Sequence, residues 1–270
     1  MLMIGYLSML AVGLTIGLIG AGGAILTVPI MVYLFDIPAL LATSYSLFIV
    51  GTSSVFGLTR YHRERLIDYK TATVFAVPSI VGTYVTRRGL LPLIPDKISI
   101  GNLAVIDKDQ IILTVFALVM LAASVSMIKS HAPHPRQSGS VSDRLLLASL
   151  GFLVGSVAGF IGAGGGFLII PALVVVVGMP MAVAVGTSLL IVAANSLIGF
   201  IGDVLAAVTL EWFFLMKVTG VALIGIIFGV NVSKRVEPSR LKKGFGWFIL
   251  ANGCYILIRQ ILATGAASGG

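Results

Sequence analysis

A glycine cluster buried in a long apolar run occurs twice in this chain, and that doubling constrains the fold more than any other feature. Gly20-Ala21-Gly22-Gly23-Ala24 leads to Pro29, and Gly162-Ala163-Gly164-Gly165-Gly166 leads to Pro171, 142 positions later. The apolar segments around them, 3–35 and 145–178, are each about 33 residues long. One unbroken helix of that length would reach about 50 Å, well past a hydrocarbon core of about 30 Å. Adjacent glycines disfavour a helix interior and accept left-handed turns. Each long segment is therefore expected to be two half-helices joined at a Gly-rich turn.

The rest of the chain is also apolar. It is 58% hydrophobic and 10% charged, with a mean hydropathy of +1.09, against about 25% charged residues in a soluble domain. Further apolar segments span 39–59, 69–86, 110–128, 181–202, 209–232 and 244–263. Runs of this length with few charges mark a polytopic helical membrane protein. The short alternating segments of a membrane β-barrel are absent. The net charge of +8 sits in short loops, so it reads as topology and lipid contact. No basic patch is interleaved with exposed aromatics, so nucleic acid is not an expected partner. A single cysteine, Cys254, excludes an internal disulfide and a cysteine metal site. The N-terminal run lacks a basic n-region and reads as mature structure.

The repeat extends well beyond the glycines. Residues 13–57 align with 155–199 without a gap, with about 18 of 45 positions identical. A later stretch, Gly82 to Arg88, matches Gly229 to Arg235. The organisation is a first repeat over 1–128, a polar linker over 129–144, a second repeat over 145–263 and a flexible tail over 264–270.

Loop charges orient the halves. If each long segment crosses once, basic residues divide evenly between the two sides. If each returns to its own side, the loops 60–70, 129–144 and 234–243 fall together with 12 Lys and Arg. The other side then keeps Arg87, Arg88, Lys97, Lys108 and Arg259. The positive-inside rule makes the rich side cytoplasmic. The expected fold class is thus an all-α polytopic membrane protein of two inverted repeats, each a Gly-broken re-entrant hairpin plus three transmembrane helices. The N-terminus lies outside, and the linker 129–144 is cytoplasmic.

Irregular backbone at membrane depth is tolerated only where protein buries it or it lines a cavity. Half-helix N-termini offer free N–H groups and a partial positive charge to anions. Gly20, Ala21, Gly22, Gly23 and Ala24 in one half, and Gly162, Ala163, Gly164, Gly165 and Gly166 in the other, are therefore candidate substrate-binding residues. In this reading the anion sits between two tips facing each other at mid-membrane, without a buried Lys or Arg. Ser46, Ser188 and Asn195, on the helices that follow, are candidate side-chain donors. The competing explanations are close helix packing by small residues and hydroxyls bonded to their own helix. Lys217 could guide an anion or snorkel to the interface. No carboxylate pair, metal-ligand cluster or nucleophile–base set falls inside the apolar segments. Neither enzyme activity nor a cofactor or metal is expected.

The paired Gly-x-Gly-Gly-Gly/Ala-x-x-x-x-Pro stretches, Gly20 to Pro29 and Gly162 to Pro171, resemble the sulfite exporter TauE/SafE family of membrane permeases, as do the two like halves joined by a linker. The resemblance implies anion transport: export of sulfite or organosulfonates across the cell inner membrane. Ala24 departs from the pattern where the second copy has Gly166. With the cell interior negative, each exported negative charge gains roughly 2.3 kcal/mol per 100 mV. Such an exporter needs no coupled ion, in keeping with apolar segments that lack buried carboxylates. An anion channel, or a permease for a small carboxylate or other non-sulfur oxyanion, is the alternative.

Overall fold

The structure, a computed structural model, describes residues 2–95, 97–100, 104–129, 141–161, 165–206, 208–233 and 238–268. In the first half, α1 (Leu2–Ile19) runs into a 3-10 turn (Gly20–Leu26) and α2 (Thr27–Leu34), followed by α3 (Ala39–Arg63) and α4 (Tyr69–Val85). A π-helical turn (Thr86–Leu90) and the short α5 (Leu91–Leu93) lead to two antiparallel strands, β1 (Lys97–Ile100) and β2 (Ala104–Asp107), and then α6 (Lys108–Lys129). The second half holds α7 (Val141–Ile161), α8 (Gly166–Pro171) with a π-helical turn (Ala172–Val176), α9 (Met181–Leu205), α10 (Trp212–Ser233) and α11 (Pro238–Ser268). Among the described residues, five helices are long and apolar enough to cross a membrane. The protein is a helical polytopic membrane protein with a small β-hairpin in one loop. The backbone stays helical through residues 264–268, where the sequence alone suggests a flexible tail; Gly269 and Gly270 lie outside the described residues.

The 142-residue shift recurs in the local geometry. Asp36 and Gly178 both take left-handed φ angles, 56° and 77°, where α2 and the helical run after α8 end. Ile37 N–H then reaches back to the Met31 carbonyl at 3.1 Å, and Met179 N–H to the Leu173 carbonyl at 3.0 Å. These bonds satisfy carbonyls that a helix end leaves open. Pro38 and Pro180 follow in extended conformation as N-caps of α3 and α9. Helices α3 and α9 therefore start and stop at matched positions and have equal length, 25 residues.

The first glycine-broken segment doubles back. The rings of Tyr6, near the start of α1, and Phe35, just past α2, pack edge to face at 5.5 Å. A continuous helix would hold them roughly 40 Å apart. The arms are not half-length, however. The 18 residues of α1 make about 27 Å, and the 3-10 turn with α2 returns about 26 Å. The glycines within α1 do not break it, because they are packed against a neighbouring helix.

Those glycines set the helix pairing. Gly13 and Gly17 of α1 lie against the backbone of Ala222 and Ile226 of α10, and Gly155 and Gly159 of α7 against Ser79 and Thr83 of α4. A Cβ at any of these four would run into a carbonyl or Cα of the partner helix. Small residues let helices in lipid approach this closely, replacing the missing hydrophobic drive with backbone contact. In return, Gly225 sits under the Leu10 carbonyl and Gly82 under the Phe152 carbonyl. The two contacts are counterparts, so Gly82 corresponds to Gly225 and Ser79 to Ala222, a shift of 143. The sequence match of Gly82 with Gly229 is thus displaced by about one helical turn. It followed the similar Thr-Arg-Arg and Ser-Lys-Arg ends, whereas packing follows the glycines.

Each half thus lends its first helix to the fourth helix of the other. The central pair is α3 with α9, the two most buried of the candidate spans. They run antiparallel: Gly51 lies by Leu197, Gly57 by Leu189 and Gly199 by Leu47. Cross-half bonds repeat the relation. Asp68 N–H donates to Thr187 Oγ1 at 3.0 Å, and Glu211 N–H to the Tyr45 hydroxyl at 2.9 Å.

Candidate substrate site

Gly20 and Gly159, described residues of the two glycine-rich segments, reach opposite ends of the α3–α9 pair. Gly20 takes a left-handed φ of 76°, opens the 3-10 turn, and lies against the side chain of Val185, in the second turn of α9. The helical return therefore begins at Gly20, the first glycine of the cluster. Ala21, Gly22 and Gly23 lie within that turn, and Ala24 is fully buried. In the second copy, Gly162, Ala163 and Gly164 lie outside the described residues. Gly165 follows them at φ 70° as N-cap of α8, and Gly166 is the buried first residue of that helix. Its carbonyl side of the turn, Gly159, is bonded to Arg87 beside Thr43, in the second turn of α3. The 3-10 turn, which carries the first glycine cluster, packs on α8, the helix that follows the second.

Between those ends runs a seam of buried polar atoms. Among the described residues, Thr27 Oγ1, Ser46 Oγ, Ser53 Oγ, Ser54 Oγ, Asn195 Oδ1 and Ser196 Oγ are buried without a hydrogen-bond partner. Leaving such a group unpaired costs about 1–3 kcal/mol each, so these atoms have unmet capacity for a polar partner. Of the expected donors, Ser46 belongs to it. Asn195 belongs through its carbonyl oxygen, while its amide nitrogen donates to Ser79 Oγ at 2.5 Å. Ser188 instead bonds the Val185 carbonyl of its own helix at 2.8 Å, the usual fate of a serine in an apolar helix.

A buried ion pair lies at one end of the seam. Arg87 Nε donates to Asp203 Oδ1 at 2.8 Å, and Nη2 to Asp203 Oδ2 and to Ser44 Oγ at 3.1 Å. Nη1 reaches the Gly159 carbonyl at 3.2 Å and Thr43 Oγ1 at 3.3 Å. Ser44 Oγ in turn donates to Asp203 Oδ2 at 2.6 Å. The side chains are only 5% and 11% exposed, and the guanidinium meets α3, α7 and α9 at once. This corrects two expectations: a buried arginine lies beside the seam, and α9 buries a carboxylate just past its apolar segment. Hydropathy ends the segments at 86 and 202, one residue short of each charge. The helices in fact continue, α9 to Leu205 and α4 into a π-helical turn whose extra residue turns Arg87 inward while Arg88 stays exposed. Such bulges often mark functional positions, and an ionisable residue within a span is a functional candidate by default.

Lys217 is outside this arrangement, exposed on α10 with its ammonium over the Phe213 ring at 4.0 Å. Among the described residues, no group of His, Cys, Asp and Glu could hold a metal ion.

A helical membrane protein of two like halves, paired by exchange around a buried polar seam, has the architecture in which secondary transporters are built. The sequence comparisons agree with that class. The profile of the family described as Sulfite exporter TauE/SafE matches residues 6–256, and the chain belongs to that family. A "Probable membrane transporter protein" of Xylella fastidiosa is 28% identical over 92% of each chain. The "Probable membrane transporter protein YunE" of Bacillus subtilis is 22% identical over 92% of this chain and 95% of its own. The "Probable membrane transporter protein MJ0441" of Methanocaldococcus jannaschii is 35% identical over 41% of this chain and 43% of its own. No solved structure matches.

Proposed function

We propose that this membrane transporter exports small sulfur-containing anions, sulfite or organosulfonates, along the seam between α3 and α9. The Gly-rich turns and their helical returns supply backbone N–H groups, and Ser46 and Asn195 supply side-chain polarity. The observation that carries the reading is the row of buried, unpartnered polar atoms at the centre of a chain of this family. The antiparallel course of the matched helices α3 and α9 supports inverted repeats, and the meeting of Tyr6 with Phe35 supports a re-entrant first hairpin. With the basic loops cytoplasmic, the Arg87–Asp203 end of the seam faces outward across the inner membrane. Membrane potential favours the outward passage of an anion.

Proteoliposomes test this. Saturable counterflow of sulfite or methanesulfonate, faster with an inside-negative potential, is the expected result. Flux without counterflow would make the protein a channel. Transport of small carboxylates in preference to both sulfur anions would favour the non-sulfur alternative. A strict requirement for a proton gradient would contradict potential-driven export.

A further inference from the structure

The Arg87–Asp203 pair is not repeated residue for residue in the other half. By the shift of 142, the counterpart of Asp203 is Tyr61; by the shift of 143, the counterpart of Arg87 is Val230. At the other end Arg60, beside Tyr61, donates Nη1 to the Val230 carbonyl at 2.6 Å and pairs with Glu64 at 2.9 Å, where the Glu64 side chain is 39% exposed; the Arg87–Asp203 pair is by contrast buried on both sides.

We propose that Arg87 is the anion-recognition residue at this end of the path, and that Asp203 is a tethered anion that occupies it until a substrate oxyanion takes its place. This rests on the anion-transport reading above and names the side chain that serves it. The geometry fits exchange. Asp203 meets the Nε and Nη2 edge of the guanidinium with two oxygens on one carbon. A sulfite, a sulfonate or a carboxylate presents the same pair of oxygens to the same fork. The remaining donors stay engaged during exchange, because Nη1 is held by Gly159 and Thr43. The arginine is therefore kept pointing at the site whichever anion it holds. Ser44 donates to Asp203 and accepts from Arg87, so its hydroxyl can follow either the carboxylate or the substrate. Asp203 lies two residues from the end of α9 at Leu205, close enough to the loop for a released carboxylate to turn toward it. Exchange also unties the end of α9 from the end of α4, which couples anion arrival to the opening of this end alone.

The test compares binding of sodium sulfite and of methanesulfonate to purified protein in lipid nanodiscs. If Asp203 holds Arg87 nine-tenths of the time or more, its removal raises apparent affinity about tenfold or more. Asp203→Asn is expected to do so, with Glu211→Gln, an exposed acid after the end of α9, leaving affinity unchanged. The double variant Arg87→Gln, Asp203→Asn keeps a neutral hydrogen-bonded pair, so it avoids the buried unpaired charge that either single change risks. It is expected to fold and to lose anion binding. Unchanged or weaker affinity in Asp203→Asn, or wild-type affinity in the double variant, overturns the exchange and leaves the pair a latch. If the wild type transports these anions while Asp203→Asn binds them no better, only this inference falls. If neither protein binds any anion, the transport reading falls with it.

Discussion

Asn195 and Ser79 are joined across the centre of the molecule by a 2.5 Å bond from amide to hydroxyl, and the matched place in the other half has no such bond. There the counterparts are Ser53, whose hydroxyl is buried and unpartnered, and Ala222. Removing the two side chains should therefore have different consequences. Asn195→Ala breaks a buried hydrogen bond and leaves Ser79 open, lowering stability by about 1–3 kcal/mol. Ser53→Ala removes a group that bonds nothing in the protein and should leave stability level or slightly raised. If the seam carries substrate, Ser53→Ala should still slow transport. Thermal unfolding in detergent and proteoliposome flux, measured on both variants, separate the two effects.

Glycine contacts decide which helix faces can change. Gly13 and Gly155 stand against the backbones of Ala222 and Ser79, where a methyl has no room, whereas Gly220 has open space around it. Gly13→Ala or Gly155→Ala should push the paired helices apart and cost about 1–3 kcal/mol. Gly220→Ala should be neutral or stabilise by up to about 1 kcal/mol, through helix propensity alone. Unfolding midpoints of the three variants should rank in that order.

Much of this architecture was legible in the sequence because it is written in the lengths of apolar segments and in an ungapped repeat. The matched ends of α3 and α9, set by Pro38 and Pro180, follow directly from the ungapped shift. The glycine pair Gly22-Gly23 signalled a break but not its form, since whether a turn begins at Gly20 or Gly23 depends on what it packs against, here Val185. Register between Gly82 and Gly225 was hidden for the same reason: only the carbonyls of Leu10 and Phe152 identify the counterparts. Arg87 and Asp203 were missed because hydropathy trims a segment at its first charge. A charge buried by partners from three other helices looks, in one dimension, like a loop residue.

The two cross-half bonds at the starts of α4 and α10 should matter equally, as their geometry is equal. Tyr45→Phe leaves Glu211 N–H without its acceptor, and Thr187→Val does the same to Asp68 N–H. Each should cost about 1–3 kcal/mol for the donor left behind. Asp68 also caps α4 through its carboxylate, which accepts from Lys70 N–H and Thr71 N–H at 3.1 Å each. Asp68→Ala should therefore cost a further 0.5–2 kcal/mol or so, measured as a drop in unfolding midpoint against the wild type.

The course of the first hairpin across the membrane can be read by chemical labelling. Tyr6 and Phe35 touch, so α1 begins and α2 ends on one side, and the linker residue Ile37 shares that side. Glu64, the C-cap of α3, is exposed at the other end of that helix. The native cysteine, Cys254, is exposed and must first be changed to alanine. In that background, Ile37→Cys should react with a membrane-impermeant maleimide added outside intact spheroplasts. Glu64→Cys should react only after permeabilisation; its loss breaks a single exposed pair with Arg60, worth about 0–1 kcal/mol. Labelling of position 37 from the cytoplasm, or of both positions from one side, would defeat the re-entrant topology and with it the outward placement of Arg87.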